Sequence, residues 1–159
     1  MNITILAVGK IKEKFYTDAI AEYVKRLGRY CKIKIIETED EKTPDGASDI
    51  VCRQIMAKEA KAFEKYLTDD AYKIVLAIEG KKYDSLRFAT MINNLGINGK
   101  SNIVFIIGGS LGVAESVKKK ADALISFSDM TFPHQLMRVI LTEQIYRAYR
   151  IINNEPYHK

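Results

Sequence analysis

Two short, almost wholly apolar runs in the second half of the chain, Ile103-Val104-Phe105-Ile106-Ile107 and Ala123-Leu124-Ile125-Ser126-Phe127, limit the choice of fold most severely. A strand with so little polar alternation is buried on both faces, which requires a mostly parallel sheet with helices packed on either side. The rest of the chain supplies the matching alternation of elements. Residues 3–8 are a β-branched strand run stopped by Gly9, and Phe15, Ala19, Ile20, Tyr23, Val24 and Leu27 follow at helical spacing before Gly28. Residues 32–38 alternate charged and apolar side chains as a half-buried strand does, and residues 39–46 form a polar loop containing Pro44 and Gly46. Ser48 or Asp49 caps a second helix whose stripe is Val51, Ile55, Ala60 and Phe63, ending at Leu67. The spacing then predicts a strand over 72–78 and a helix over 86–95 before the two apolar strands. The expected architecture is α/β, in one domain over 1–159. With 159 residues, 47% of them hydrophobic, the chain fills one core and is too short for two ordinary domains.

Several familiar chemistries are disfavoured. No G-x-G-x-x-G follows the first strand, and Gly9-Lys10-Ile11 lacks both the upstream glycine and the hydroxyl residue of a phosphate-binding P-loop. Cys31 and Cys52 have neither zinc-like nor redox-like spacing and read as free thiols, so no metal is expected. No stretch has the length of a membrane span, and the opening residues lack a signal-peptide pattern, so a cytoplasmic protein is expected. The net charge of +5 favours a polyanionic partner, RNA or DNA. The charges gather in three groups: Lys25, Arg26, Arg29, Lys32 and Lys34; Lys118 to Lys120; and Arg138, Arg147, Arg150 and Lys159. Taken singly, each group reads more simply as a solvated face.

The first apolar strand opens into Gly108-Gly109-Ser110-Leu111-Gly112, and the second ends in Ser128-Asp129-Met130-Thr131-Phe132-Pro133-His134 ahead of a long helix. In open α/β sheets, ligands bind beyond the carboxyl ends of strands, where glycine lets main chain approach and helix N-termini present free N–H groups. These neighbouring loops are therefore the expected ligand site. From Leu136 to Ile152 the apolar residues of the last helix cover more than one stripe. Such a helix is either buried wholly within one subunit or covered on its second face by another copy across a two-fold axis.

The opening Ile3-Thr4-Ile5-Leu6-Ala7-Val8-Gly9-Lys10-Ile11-Lys12, the runs Phe105-Ile106-Ile107-Gly108-Gly109-Ser110 and Met130-Thr131-Phe132-Pro133-His134-Gln135, and the ending Glu143-Gln144-Ile145-Tyr146-Arg147-Ala148 with Pro156-Tyr157-His158-Lys159 carry a family resemblance. Together they resemble the SPOUT-class methyltransferases that act on N3 of a pseudouridine in 23S rRNA of the large ribosomal subunit. The resemblance runs over essentially the whole chain. It implies a C-terminal trefoil knot, an exception to the rule that connections do not thread one another. It also implies S-adenosyl-L-methionine as cofactor, a homodimer, and the assembled ribosome as partner, with no membrane or DNA. Carried over to this sequence, the cofactor site is Leu76, Gly108, Phe127, Ser128, Asp129, Met130, Thr131 and Phe132. Without the resemblance, Leu76 reads as a core leucine, Gly108 as a chain reversal and the loop as a lead into the helix.

Methyl transfer from a sulfonium is an in-line displacement, so catalysis consists mainly of positioning and of removing the N3 proton. His134 lies in the first turn of the last helix, where the dipole disfavours imidazolium and keeps a nitrogen free to accept that proton. Its alternative role is closing the start of the helix. Arg138, one turn on, is expected to hold a phosphate or the charge developing on the pyrimidine edge, unless an intrahelical ion pair occupies it. Tyr157 and His158 bring a stacking ring and an imidazole in a tail that the resemblance places near the other subunit's cofactor pocket. Two other readings stay open: a SPOUT methyltransferase for another rRNA or a tRNA nucleotide, and a non-catalytic RNA- or nucleotide-binding module. The small size, with no appended RNA-binding module, points to recognition of an assembled ribosomal surface.

Overall fold

The computed structural model describes residues 1–159. Its elements are β1 (Asn2–Val8), α1 (Lys14–Leu27), β2 (Lys32–Thr38), α2 (Asp49–Phe63), β3 (Tyr72–Lys82), α3 (Ser85–Ile97), β4 (Asn102–Ile107), α4 (Glu115–Lys118), β5 (Ala123–Ser126) and α5 (His134–Ile152). All strand pairs are parallel, in the order β2-β1-β4-β3-β5. The register sets Ile5 between Ile35 and Phe105, and Phe105 in turn against Ile74. Because strand side chains alternate, Ile3, Ile5, Ile74, Ile103 and Phe105 project toward α1, α3 and α5. Leu6, Val8, Val75, Val104 and Ile106 project to the opposite layer, α2 and α4. That is why the later strands carry no polar alternation: Ile103, Phe105 and Ile106 are fully buried.

Local signals set the helix starts. Ser48 Oγ accepts from the Val51 N–H at 3.4 Å, and Asp84 Oδ1 accepts from Arg87 N–H at 2.7 Å. At α5, Pro133 stands at the cap with no side-chain acceptor, leaving the helix start open. The structure departs from expectation in three places. β3 continues past Ile78 to Lys82 because its pairing with β5 shifts register between Leu76 and Lys81. Gly80 makes that shift feasible, since a Cβ there would lie 2.6 Å from the main chain of Ile125. The helix expected to reach Leu67 stops at Phe63 and tightens into a 3₁₀ turn, Glu64–Tyr66. Residues 115–118 form a single helical turn that periodicity is too short to reveal.

Both cysteines are free thiols, and no helix is long and apolar enough to cross a membrane. On α5, Leu141, Ile145, Ala148 and Tyr149 are buried, whereas Leu136, Val139 and Ile140 are only half-buried.

Candidate active site

A cavity of about 430 Å³ opens at the carboxyl ends of β3, β4 and β5. Its wall comprises residues 76–79, 107–113, 125–128 and 130–132, with Lys118, His134 and Met137. The glycine turn after β4 is very tight: a Cβ on Gly108 would lie 2.3 Å from Gly112 O, and Gly112 N–H donates to Gly109 O at 3.0 Å. Gly112 has φ +85°, a conformation that favours glycine. Any side chain at Gly108 therefore distorts the turn before it reaches ligand space. On the facing loop, Ser126 Oγ donates to Ser128 O at 3.0 Å, and Met130 N–H donates to Ser128 Oγ at 2.9 Å. Phe127 is pinned beneath by an edge-to-face contact with Phe88, with ring centroids 5.7 Å apart.

Of the residues expected at a cofactor site, Leu76, Gly108, Phe127, Ser128, Met130, Thr131 and Phe132 line this cavity. Asp129 does not. It is exposed and pairs with Lys82 on the extension of β3. His134 is in the wall and half-buried. Burial pushes its imidazole below the ordinary range, the Arg138 guanidinium adds to the effect, and Asp40 opposes it. A neutral imidazole thus faces the cavity from the first residue of α5.

Arg138 is placed differently. It is fully buried, donating from one terminal nitrogen to Glu37 Oε1 at 2.7 Å and from the other to Val8 O at 2.6 Å. Its ion-pair partner lies on β2 rather than on its own helix. Glu37 Oε1 also accepts from Ile11 N–H at 3.2 Å, and Gln135 Oε1 accepts from Lys12 N–H at 3.2 Å. These bonds fasten the start of α5 to the carboxyl ends of β1 and β2, beside the cavity.

Tyr157 and His158 sit at the other end of α5. Tyr157 packs edge-on against Tyr146 with centroids 4.9 Å apart, and its hydroxyl donates to Glu143 Oε1 at 3.0 Å. Arg147 lies 4.7 Å from the centre of the Tyr157 ring and 3.5 Å from His158 Nδ1. At 1.5 Å per residue, roughly 20 Å of helix separates His134 from Arg147. The structure therefore does not bring the tail to the cavity of its own chain.

Three charged residues at the cavity carry no ligand-site role in the sequence reading. Glu79 and Lys118 stand in the cavity wall and bond to each other, with Glu115 Oε1 at 3.2 Å from the same ammonium. Glu79 is held below the usual carboxylate range by Lys118, and Lys118 is raised by Glu79. Lys118 is thus no part of an open basic face, although Lys119 and Lys120 beside it are exposed. The third residue is Glu59 on α2, buried against the cavity's glycine turn, where a Cβ on Gly109 would be 3.2 Å from its Oε1. Burial pushes this carboxyl up to about 7, reinforced by Asp40 and Glu41 and opposed by a hydrogen bond from the Glu41 main chain.

Comparison with known proteins agrees with this geometry. Residues 1–158 match the family described as predicted SPOUT methyltransferase. The ribosomal RNA large subunit methyltransferase H of Bifidobacterium adolescentis is 62% identical over 159 residues, covering 100% of both chains. That of Clostridium kluyveri is 54% identical over the same full length. A probable methylase family protein from Haemophilus influenzae aligns with TM-score 0.56 at 11% identity, over 99% of this chain and 70% of its own. A probable methyltransferase from Bordetella pertussis aligns with TM-score 0.56 at 9% identity, over 92% of this chain and 95% of its own. The two solved structures share the α/β fold, and the match across residues 1–158 together with the full-length identities establishes that this chain belongs to the SPOUT methyltransferase family.

Proposed function

We propose that this protein transfers a methyl group from S-adenosyl-L-methionine to N3 of a pseudouridine in 23S rRNA of the large subunit. One observation carries the reading: the cavity at the ends of β3, β4 and β5 combines a family cofactor loop with a neutral imidazole at its rim. The residues fit such a ligand. Leu76, Phe127 and Phe132 offer apolar surface for a purine, while the turns at 108–112 and 126–130 bring main chain close enough to bond its polar edge. Leu76, Gly108, Phe127, Ser128, Met130, Thr131 and Phe132 hold the cofactor, with Asp129 outside the wall. When bound there, S-adenosyl-L-methionine supplies an electrophilic methyl group.

The chain's own residues perform the remaining work. His134 accepts the N3 proton, a role favoured by burial and the Arg138 charge, which keep the imidazole uncharged and so available as acceptor, and by its position at the helix start. Arg138, anchored by Glu37 and the Val8 carbonyl, fixes the position of His134 one turn away and contributes positive potential to the substrate side. Tyr157 and His158 contact RNA at the pocket of a second subunit. That assignment is supported by their distance from their own cavity and by the half-buried apolar stripe of Leu136, Val139 and Ile140, which a homodimer would cover. The trefoil knot, single-domain organisation and cytoplasmic location belong to the same reading, supported by the full-length family match.

The decisive experiment offers radiolabelled S-adenosyl-L-methionine with ribosomes, isolated subunits and naked rRNA, then maps the labelled nucleotide. Methylation of pseudouridine N3 is expected, with assembled ribosomes as the best acceptor. Label in tRNA or at another rRNA position would overturn the substrate assignment, and failure to bind S-adenosyl-L-methionine in calorimetry would overturn the activity.

A further inference from the structure

Glu79 and Lys118 are the only formally charged side chains in the cavity wall apart from the titratable His134. Lys118 comes from the single turn α4 and Glu79 from the β3 extension created by the register shift. The ammonium is drawn inward, with its side chain 18% exposed, while the two carboxylates that hold it, Glu79 and Glu115, are 57% and 75% exposed. Most surface pairs contribute little and leave both partners in water. Here one cation is sunk into a binding cavity and given two anions, although only Glu79 shares the cavity wall.

The remaining wall, the His134 imidazole aside, is apolar side chain, hydroxyl and main chain, so a charged portion of a ligand has these two side chains to meet. An α-amino acid end carries a carboxylate and an ammonium on the same carbon, opposite charges about 3 Å apart, the spacing at which a wall ion pair presents its own charges. Set against each other, the two pairs close into an alternating ring of four charges. Glu115 then has a function: it keeps Lys118 partnered when Glu79 turns toward the ligand.

We infer that Glu79 and Lys118 form the subsite for the aminocarboxylate end of S-adenosyl-L-methionine. Lys118 receives the ligand carboxylate, Glu79 receives the ammonium, and Glu115 retains the lysine. This inference rests on the cofactor assignment above, and its test separates the two.

Calorimetry with three probes provides that test: S-adenosyl-L-methionine, S-adenosylhomocysteine, and 5′-methylthioadenosine, which keeps the adenosine and sulfur but lacks the amino acid. Lys118→Met and Glu79→Gln should each weaken the first two by about tenfold, the loss of one charge-assisted bond, while methylthioadenosine binding stays within about twofold. Lys120→Met, an exposed neighbour outside the wall, should leave all three unchanged. Comparing probes within one variant separates loss of the subsite from general damage to the pocket. Equal weakening of all three probes would overturn the subsite, as would unchanged affinity for all three. Wild-type protein that binds none of them would overturn the cofactor assignment and the subsite together.

Discussion

The two ends of α5 use similar residue types for different purposes. At the start, the helix has no side-chain cap, His134 is left facing a cavity, and Arg138 is sunk completely to grip Glu37 and a β1 carbonyl. At the finish, Arg147, Glu143 and Tyr157 satisfy one another, and Arg150 pairs with Glu155, which also accepts from Tyr30. The first end is rigidly supported but chemically open. The second is tied up in ion pairs with its own neighbours, although Arg147 Nε and Arg150 Nε stay without a partner, and it sits too far from its own cavity to act there. An active site made from both ends requires two chains, with the start of one helix meeting the finish of another.

The most severe test of that contrast removes function at each end separately. His134→Ala and deletion from Pro156 onward should each lower methyl transfer by about a hundredfold or more, with cofactor affinity largely kept. Mixing the two variants should restore activity, because one pocket of the heterodimer then has an intact His134 and an intact visiting tail. No recovery despite demonstrated subunit exchange would break the comparison.

Stability should divide along the same line. Arg138→Met removes a fully buried guanidinium and strips both Glu37 and the Val8 carbonyl of that donor, and should cost about 3–5 kcal/mol, whereas Arg147→Met removes a partly exposed guanidinium and leaves Glu143 its bond from the Tyr157 hydroxyl, and should cost about 1 kcal/mol. Denaturant midpoints at constant slope measure both, and equal losses would erase the distinction.

A smaller effect comes from Glu59, beside the open end's glycine turn. Its carboxyl is raised in the folded state, so folding favours the protonated form. The penalty is absent below the unfolded value near 4.5, grows as the pH rises toward about 7, and is constant above. Glu59→Gln should therefore match the wild type near pH 4.5 and be the more stable by on the order of 2 kcal/mol at pH 8. A stability difference independent of pH would mean that folding leaves the proton affinity of the Glu59 carboxyl unchanged. The least effect is expected from Lys119→Ala with Lys120→Ala, exposed residues near the cavity. If they meet phosphate, the salt dependence of ribosome binding should flatten by about one to two log units per log unit of salt. An unaltered slope makes them an ordinary solvated face.

How much of this was legible depended on sequence separation. The uninterrupted apolar runs gave β4 and β5 because burial on two faces is written into each residue, and Gly108 at the end of β4 marked the ligand side directly. The family resemblance supplied 127–132, and seven of the eight positions expected to hold cofactor line the cavity, Asp129 being the one outside. The intrahelical ion pair open to Arg138 does not form, because its partner Glu37 is 101 positions away. The pairing of Glu79 with Lys118 is hidden from the sequence for a related reason. Their bond spans 39 positions and depends on a bulge at Gly80, whose cause is a close approach to β5. Pattern reading finds what each residue needs; it does not find which distant residue meets the need.

The strand order has a consequence for how the protein is made. β4 lies between β1 and β3, and β3 bonds only to β4 and β5. While the chain emerges from its N-terminus, β1 and β2 can pair as soon as both are out, but β3 must wait with both edges open. Synthesis of the sheet's middle therefore depends on its fourth strand, and α5, which packs between α1 and α3, closes the layer last. A growing chain halted before residue 102 should remain open to protease across β3, and protection should arrive abruptly once the final quarter is released.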